Sequence, residues 1–129
     1  MGEKVLVVDD DEIMLGILGC ILESGGYGIT KAIDGEQALN ALNTDCFDVV
    51  VTDLHLGSIN GFDVIRKTKA ISGKTIAILI TGCYNSSDKL EALRYGADDF
   101  LLKPFSSSDL LLCIKNHSIS VHGNNKIVS

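Results

Sequence analysis

The sequence predicts a doubly wound α/β sandwich: one parallel sheet with helices on both faces. Three observations predict it: short apolar runs without apolar/polar alternation, helical apolar spacing between those runs, and a length of 129 residues. Strands without alternation are covered on both faces, and parallel neighbours need crossover connections that helices supply. The length corresponds to one domain on a scale of about 100 to 150 residues. A chain of this size buries roughly two thirds of its unfolded surface. With 46% hydrophobic and 22% charged residues and a single proline, the composition is globular and argues against disorder.

The elements follow in order. Lys4 to Val8 is a β-branched run and reads as a strand, which ends at Asp9-Asp10-Asp11-Glu12. Ile13, Ile17, Leu18, Ile21 and Leu22 recur at helical spacing, and Ser24-Gly25-Gly26 stops that helix. Tyr27 to Ala32 is a weaker strand. Asp34 is an N-cap with Gln37 at the capping-box position, opening a helix through Ala38, Leu39, Ala41 and Leu42. Val49 to Thr52 is the third strand, Gly57 to Gly61 a loop, Phe62 to about Ala70 a helix, and Thr75 to Ile80 the fourth strand. The Ser86-Ser87-Asp88 cluster caps a helix through Leu90, Leu93 and Arg94, ended by Gly96. Phe100 to Leu102 is a short last strand. After Pro104, the Ser106 to Asp109 cluster caps a helix to about Asn116. Residues 1–117 therefore form the domain, and polar residues 118–129, without a clear period, are expected as a flexible tail or the start of a linker.

Composition also excludes function classes. Eleven basic against 17 acidic residues give a net charge of −6, the wrong sign for neutralising nucleic-acid phosphates or binding an anionic membrane. The longest apolar runs, such as Val5 to Val8 and Ile76 to Ile80, fall far short of a membrane span, and no basic region precedes an apolar stretch at the N-terminus. A cytoplasmic protein is predicted. Cys20, Cys46, Cys83 and Cys113 are widely separated and read as reduced thiols. There is no C-x-x-C or H-E-x-x-H spacing, and His55, His117 and His122 are scattered. Any zinc site would have to be assembled by the fold.

In doubly wound sheets ligands bind beyond the carboxyl ends of the strands. Those ends here carry Asp9 and Asp10, Asp53, Thr81 and Lys103. Three converging carboxylates repel one another, and a hard divalent cation with oxygen ligands, Mg²⁺, relieves that repulsion. A carboxylate beside Mg²⁺ and an ammonium is a nucleophile for a phosphoryl group, whose oxygens need a cation, a hydroxyl donor and an ammonium. Asp53 is the central candidate. The turn after the first strand has no glycine-rich phosphate cradle, which disfavours nucleotide, flavin and nicotinamide binding.

Four ordered blocks then carry a resemblance: Val5-Leu6-Val7-Val8-Asp9-Asp10; Asp48-Val49-Val50-Val51-Thr52-Asp53-Leu54 with Gly61 eight residues after Asp53; Thr81-Gly82; and Gly96-Ala97-Asp98-Asp99-Phe100-Leu101-Leu102-Lys103-Pro104-Phe105. From residue 3 to about 117 the chain resembles a receiver domain of the two-component response-regulator family. The resemblance implies a flavodoxin-like sheet in strand order 2-1-3-4-5 and a cis bond between Lys103 and Pro104. It implies Asp53 as phosphoacceptor, Asp9 and Asp10 as the acidic metal pair, and the backbone carbonyl of His55 as a further Mg²⁺ ligand. Thr81 would be the switch hydroxyl, Lys103 the phosphate-contacting cation and Phe100 the switch aromatic.

The implied function is a phosphorylation-activated switch. Asp53 takes a phosphoryl group from a histidine kinase or phosphotransfer protein, and the surface of helix 4, strand 5 and helix 5 signals to a downstream protein or output domain. Its only reactivity would be its own phosphorylation and dephosphorylation. Asp98 and Asp99 are similar to the acids of receivers that dimerise through this face, but the last helix, read to about Asn116, lacks arginines and offers only Lys115 as a cation, so a monomer and a phosphorylation-dependent dimer are both open. Leu56-Gly57 stands where the family usually has Met-Pro, implying a more flexible loop. His55 and Cys83 fall where the family tunes water access. Two alternatives stay open: an aspartate-nucleophile phosphatase, which would carry a second Asp where His55 stands, and a receiver-like module that binds protein unphosphorylated.

Overall fold

Runs of β-branched and aliphatic residues pair into the sheet, and a capped helix follows each of them. The computed structural model describes residues 3–82 and 85–128; Met1, Gly2, Cys83, Tyr84 and Ser129 lie outside them, and with Cys83 its expected thiol state and role in water access. The order is β1 (Lys4–Val8), α1 (Glu12–Ser24), β2 (Gly28–Ala32), α2 (Gly35–Thr44), β3 (Val49–Asp53), α3 (Gly61–Ile71), β4 (Ile76–Thr81), α4 (Ser86–Arg94), β5 (Asp99–Leu102) and α5 (Ser107–Val128). All strand pairs are parallel and the sheet order is β2-β1-β3-β4-β5. The predicted fold class and strand order are those observed.

Alternate residues of the central strands feed opposite faces. Val5, Val7, Val49, Val51, Ile76, Ile78 and Ile80 pack with Leu15, Leu18 and Leu22 of α1 and Leu110, Cys113 and Ile114 of α5. On the other face Leu6, Val8 and Val50 meet Ala38 and Leu42 of α2 and Val64 of α3, while Ala77 and Leu79 meet Ile65 and Ala92. Each fully buried aliphatic side chain contributes about 1.5 to 3 kcal/mol relative to exposure. The stripe read on α1 is corrected in part. Ile13 is 76% exposed and Ile17 46%, while Leu15 is buried; nearly every α1 position is apolar, so spacing alone does not select the face.

Caps set the helix starts. Asp11 accepts from the backbone N–H of Ile13 and Met14, so this third acid of the run serves the helix. Asp34 caps α2 by accepting from Gln37 N–H, and the Gln37 amide reaches back to Ile33 N–H. Asn60 and Asp63 form a reciprocal capping box on α3. On α4 the cap is Asn85, paired reciprocally with Asp88, and the Ser86-Ser87-Asp88 cluster read as the cap is the first turn.

The last helix also differs from expectation. It opens with Ser106 and Asp109 bonded to each other's backbone N–H, but runs to Val128 instead of ending near Asn116. The stretch read as an irregular tail is helical to that point. No proline interrupts it, and Gly123 weakens a helix by only about 1 kcal/mol relative to Ala. No helix among the described residues is long and apolar enough to cross a membrane.

Candidate functional site

The carboxyl ends of β1, β3 and β4 are adjacent because Val8 pairs with Thr52 and Asp53 with Ile80. The residues that end or follow these strands therefore converge. Asp9 has no exposed surface and Asp53 only 7%, whereas Asp10 is exposed. One carboxylate oxygen from each of Asp9, Asp10 and Asp53 lies within 4.8 Å of the other two. Thr81, at the end of β4, is fully buried, and its carbonyl accepts from Lys103 N–H at 2.9 Å.

Lys103 follows β5 and turns its ammonium into the acids: Nζ is 3.0 Å from Asp9 Oδ2 and 3.1 Å from Asp53 Oδ2. The Lys103–Pro104 bond is cis. Burial alone would lower the Lys103 pKa, but its hydrogen bonds and charge interactions with Asp9 and Asp53 outweigh that and raise it. Asp9 shifts up because burial disfavours its charged form, against the Asp11 N–H and the Lys103 ammonium. His55 is exposed, and its backbone N–H lies 3.4 Å from Asp53 Oδ1. Phe100 is partly buried against the cluster of Leu54, Ile65, Ala77 and Leu79.

Gly61 fixes the floor of the site. A Cβ there would stand 2.2 Å from the Asp53 carbonyl oxygen and 2.9 Å from Leu54 Cα, and Gly61 N–H donates to Leu54 O at 2.8 Å. The start of α3 can lie this close to the end of β3 only without a side chain. Leu56 is 6% exposed and packs in the core, while Gly57 has φ +96°, so the loop after Asp53 is anchored by one residue and turned by the next.

The response regulator receiver domain family matches residues 5–115. The chain belongs to that family. The Bacillus subtilis alkaline phosphatase synthesis transcriptional regulatory protein PhoP is 34% identical over 115 residues, 89% of this chain and 48% of that protein. A CheY-like receiver domain protein from Methanospirillum hungatei superimposes with a TM-score of 0.91 at 26% identity, covering 96% of this chain and 99% of the other. The BeF3-activated receiver domain of DrrB, from Thermotoga maritima, gives a TM-score of 0.85 at 31% identity, covering 92% and 98%. This receiver domain spans about half the length of the curated relatives it matches.

Two acids near the start of β5 are engaged within the receiver domain. Asp98 pairs with Lys69 at 2.7 Å and accepts from Ala77 N–H. Asp99 Oδ2 accepts from the Cys113 thiol at 3.1 Å and lies 3.0 Å from His117 Nε2. Burial would raise the Asp99 pKa, yet the bonds from Cys113 and His117 and the Phe100 N–H bring it below the usual value. Burial first, and then the adjacent carboxylate, push the Cys113 thiol up to about 12. The scattered cysteines and histidines of the sequence thus meet in part: Cys113 and His117 stand four apart on α5, and the fold brings Asp99 to them. Cys20, Cys46 and Cys113 are free thiols.

Proposed function

We propose that this receiver domain is a Mg²⁺-dependent phosphorylation switch whose phosphoacceptor is Asp53. The observation that carries this reading is the convergence of Asp9, Asp10 and Asp53 at the strand ends with the Lys103 ammonium directly on two of them. The donor set fits Mg²⁺, which prefers hard oxygen ligands and uses only one or two carboxylates with other oxygens. Asp9, Asp10 or both, together with Asp53 and the His55 backbone carbonyl, would hold it, with water or phosphate oxygens in the remaining positions. When bound, the ion supplies neutralisation of the acids and of an incoming phosphoryl group.

An Asp53 carboxylate oxygen forms the bond to phosphorus as the P–N bond of a histidine kinase or phosphotransfer-protein phosphohistidine breaks. The Lys103 ammonium holds one phosphoryl oxygen, and the Thr81 hydroxyl donates to another. Thr81 moves toward the phosphoryl group and Phe100 packs into the vacated space, which biases α4, β5 and α5. Exposed Leu90, Leu93, Leu102 and Leu112 on those elements support this face as the one a downstream protein or output domain reads. The reaction belongs in the cytoplasm, as a monomer or a phosphorylation-dependent dimer.

Incubation with a small-molecule phosphodonor and Mg²⁺ should yield one hydroxylamine-sensitive acyl phosphate, mapped to Asp53 by mass spectrometry and lost in Asp53→Asn. Undiminished labelling of that variant would overturn the assignment. Absence of labelling in the parent protein would favour a module that binds protein unphosphorylated.

A further inference from the structure

We propose that Asp99, Cys113 and His117 form a Zn²⁺ site at the opposite end of β5 from Lys103. Asp99 opens β5, while Cys113 and His117 stand one helical turn apart on one face of α5. The three donor atoms lie within 4.8 Å of one another. Thiolate, imidazole and carboxylate together match Zn²⁺ and suit Mg²⁺ or Ca²⁺ poorly. One thiolate and one carboxylate around a divalent ion also give a neutral site, in a chain of net charge −6.

The geometry is close to what coordination needs. Zinc bonds of roughly 2.0 to 2.3 Å in a tetrahedron set donors about 3.4 to 3.6 Å apart. Here Asp99 Oδ2 is 3.1 Å from Cys113 Sγ and 3.0 Å from His117 Nε2, so these two edges open by a few tenths of an ångström, while the Cys113–His117 edge lies within 4.8 Å. The Asp99 and His117 side chains, 43% and 29% exposed, have room for that movement and leave an entry path. Cys113 is held by the packing of Leu110 and Ile114 beside it on α5. Binding replaces the thiol proton with the metal: the S–H proton leaves to buffer as the Zn–S bond forms, with no change of oxidation state. The exposed side of the triangle leaves a fourth position for water. An occupied site would tie β5 to α5, two of the three elements of the output face proposed above, although the site itself does not depend on that reading.

Co²⁺ as a spectroscopic stand-in for Zn²⁺ tests this, on the full chain with Cys20, Cys46 and Cys83 changed to Ser and with excess Mg²⁺ present to occupy the acidic pocket. One equivalent should produce a thiolate-to-cobalt charge-transfer band and the intensified visible bands of a tetrahedral site, both removed by one equivalent of Zn²⁺. His117→Ala, which alters a partly exposed side chain, should weaken Co²⁺ binding by ~100-fold or more, since even outer-shell partners are worth 10- to 100-fold. Far-ultraviolet circular dichroism verifies that this variant is folded. Absence of the charge-transfer band in the parent, or undiminished affinity in folded His117→Ala, would overturn the site.

Discussion

Lys103 is where charge and surface meet. Its ammonium touches Asp9 and Asp53, and its backbone continues directly from β5, which carries Phe100. One short element therefore joins the group that would hold the phosphoryl oxygens to the ring that would report them. A ligand shifts a two-state equilibrium only by its differential affinity for the two states. Removing one charge-assisted contact takes away on the order of 1.5 to 3 kcal/mol, which shrinks the population shift by roughly tenfold to a hundredfold. Lys103→Ala should therefore still be phosphorylated, slowly, but fail to convert occupancy into a changed surface. NMR shifts of the described residues between 86 and 117, with and without beryllofluoride, are the measurement. A variant fully bound to the mimic that shows the parent's changes would make Lys103 a positioning residue for the chemistry alone.

At the scale of elements, the close approach of α3 to the end of β3 rests on Gly61. A methyl group there meets the backbone of Asp53 and Leu54 as well as the Leu79 side chain, and the backbone cannot simply rotate away; overpacking of this kind costs about 1 to 3 kcal/mol. Gly61→Ala should lower the unfolding free energy by that amount, read as a lower urea midpoint at unchanged slope, and slow labelling of Asp53, because relief requires moving the strand end that carries the carboxylate. An unchanged midpoint would mean that α3 shifts away freely. The elements themselves were legible wherever a single physical signal dominated: uninterrupted β-branched runs marked the strands, and Asp34 and Gln37 marked the start of α2. Legibility failed where signals were redundant or absent. Nearly every position of α1 is apolar, so Ile13 and Ile17 looked as inward as Leu18 yet are exposed. Asn85 stands beside three other cap-forming residues, and after Asn116 a polar stretch with Gly123-Asn124-Asn125 and no clear apolar period argues against the helix that α5 continues. The strand-end acids stood out in sequence because topology sends every strand end to one edge. Asp99 meeting Cys113 and His117 depended on how α5 lies across β5, which no local pattern encodes.

Across the whole molecule, three of 17 acidic residues are gathered at one edge of the sheet, and Asp9 among them has no exposed surface. Burial opposes its ionisation more strongly than the Asp11 N–H and the Lys103 ammonium support it, which is why its pKa is raised. Folding without a cation therefore places a carboxylate where its charged form is disfavoured, a local cost of the kind that functional sites carry against the stability of the rest. Asp9→Asn preserves the side-chain shape, keeps an oxygen for the Asp11 N–H, and leaves Lys103 paired with Asp53. In chelator at neutral pH this variant should unfold at a higher urea concentration than the parent. Mg²⁺ should reverse the order: an ion that binds only the folded state adds about 2.7 kcal/mol at one hundred times its dissociation constant, and the variant, lacking one carboxylate, should gain far less. Urea titrations of both proteins with and without Mg²⁺ decide the matter. If Asp9→Asn is the less stable protein in chelator, attraction to Lys103 outweighs burial and the pocket is stable without a cation; if both proteins gain equally from Mg²⁺, Asp9 is no part of the metal's coordination.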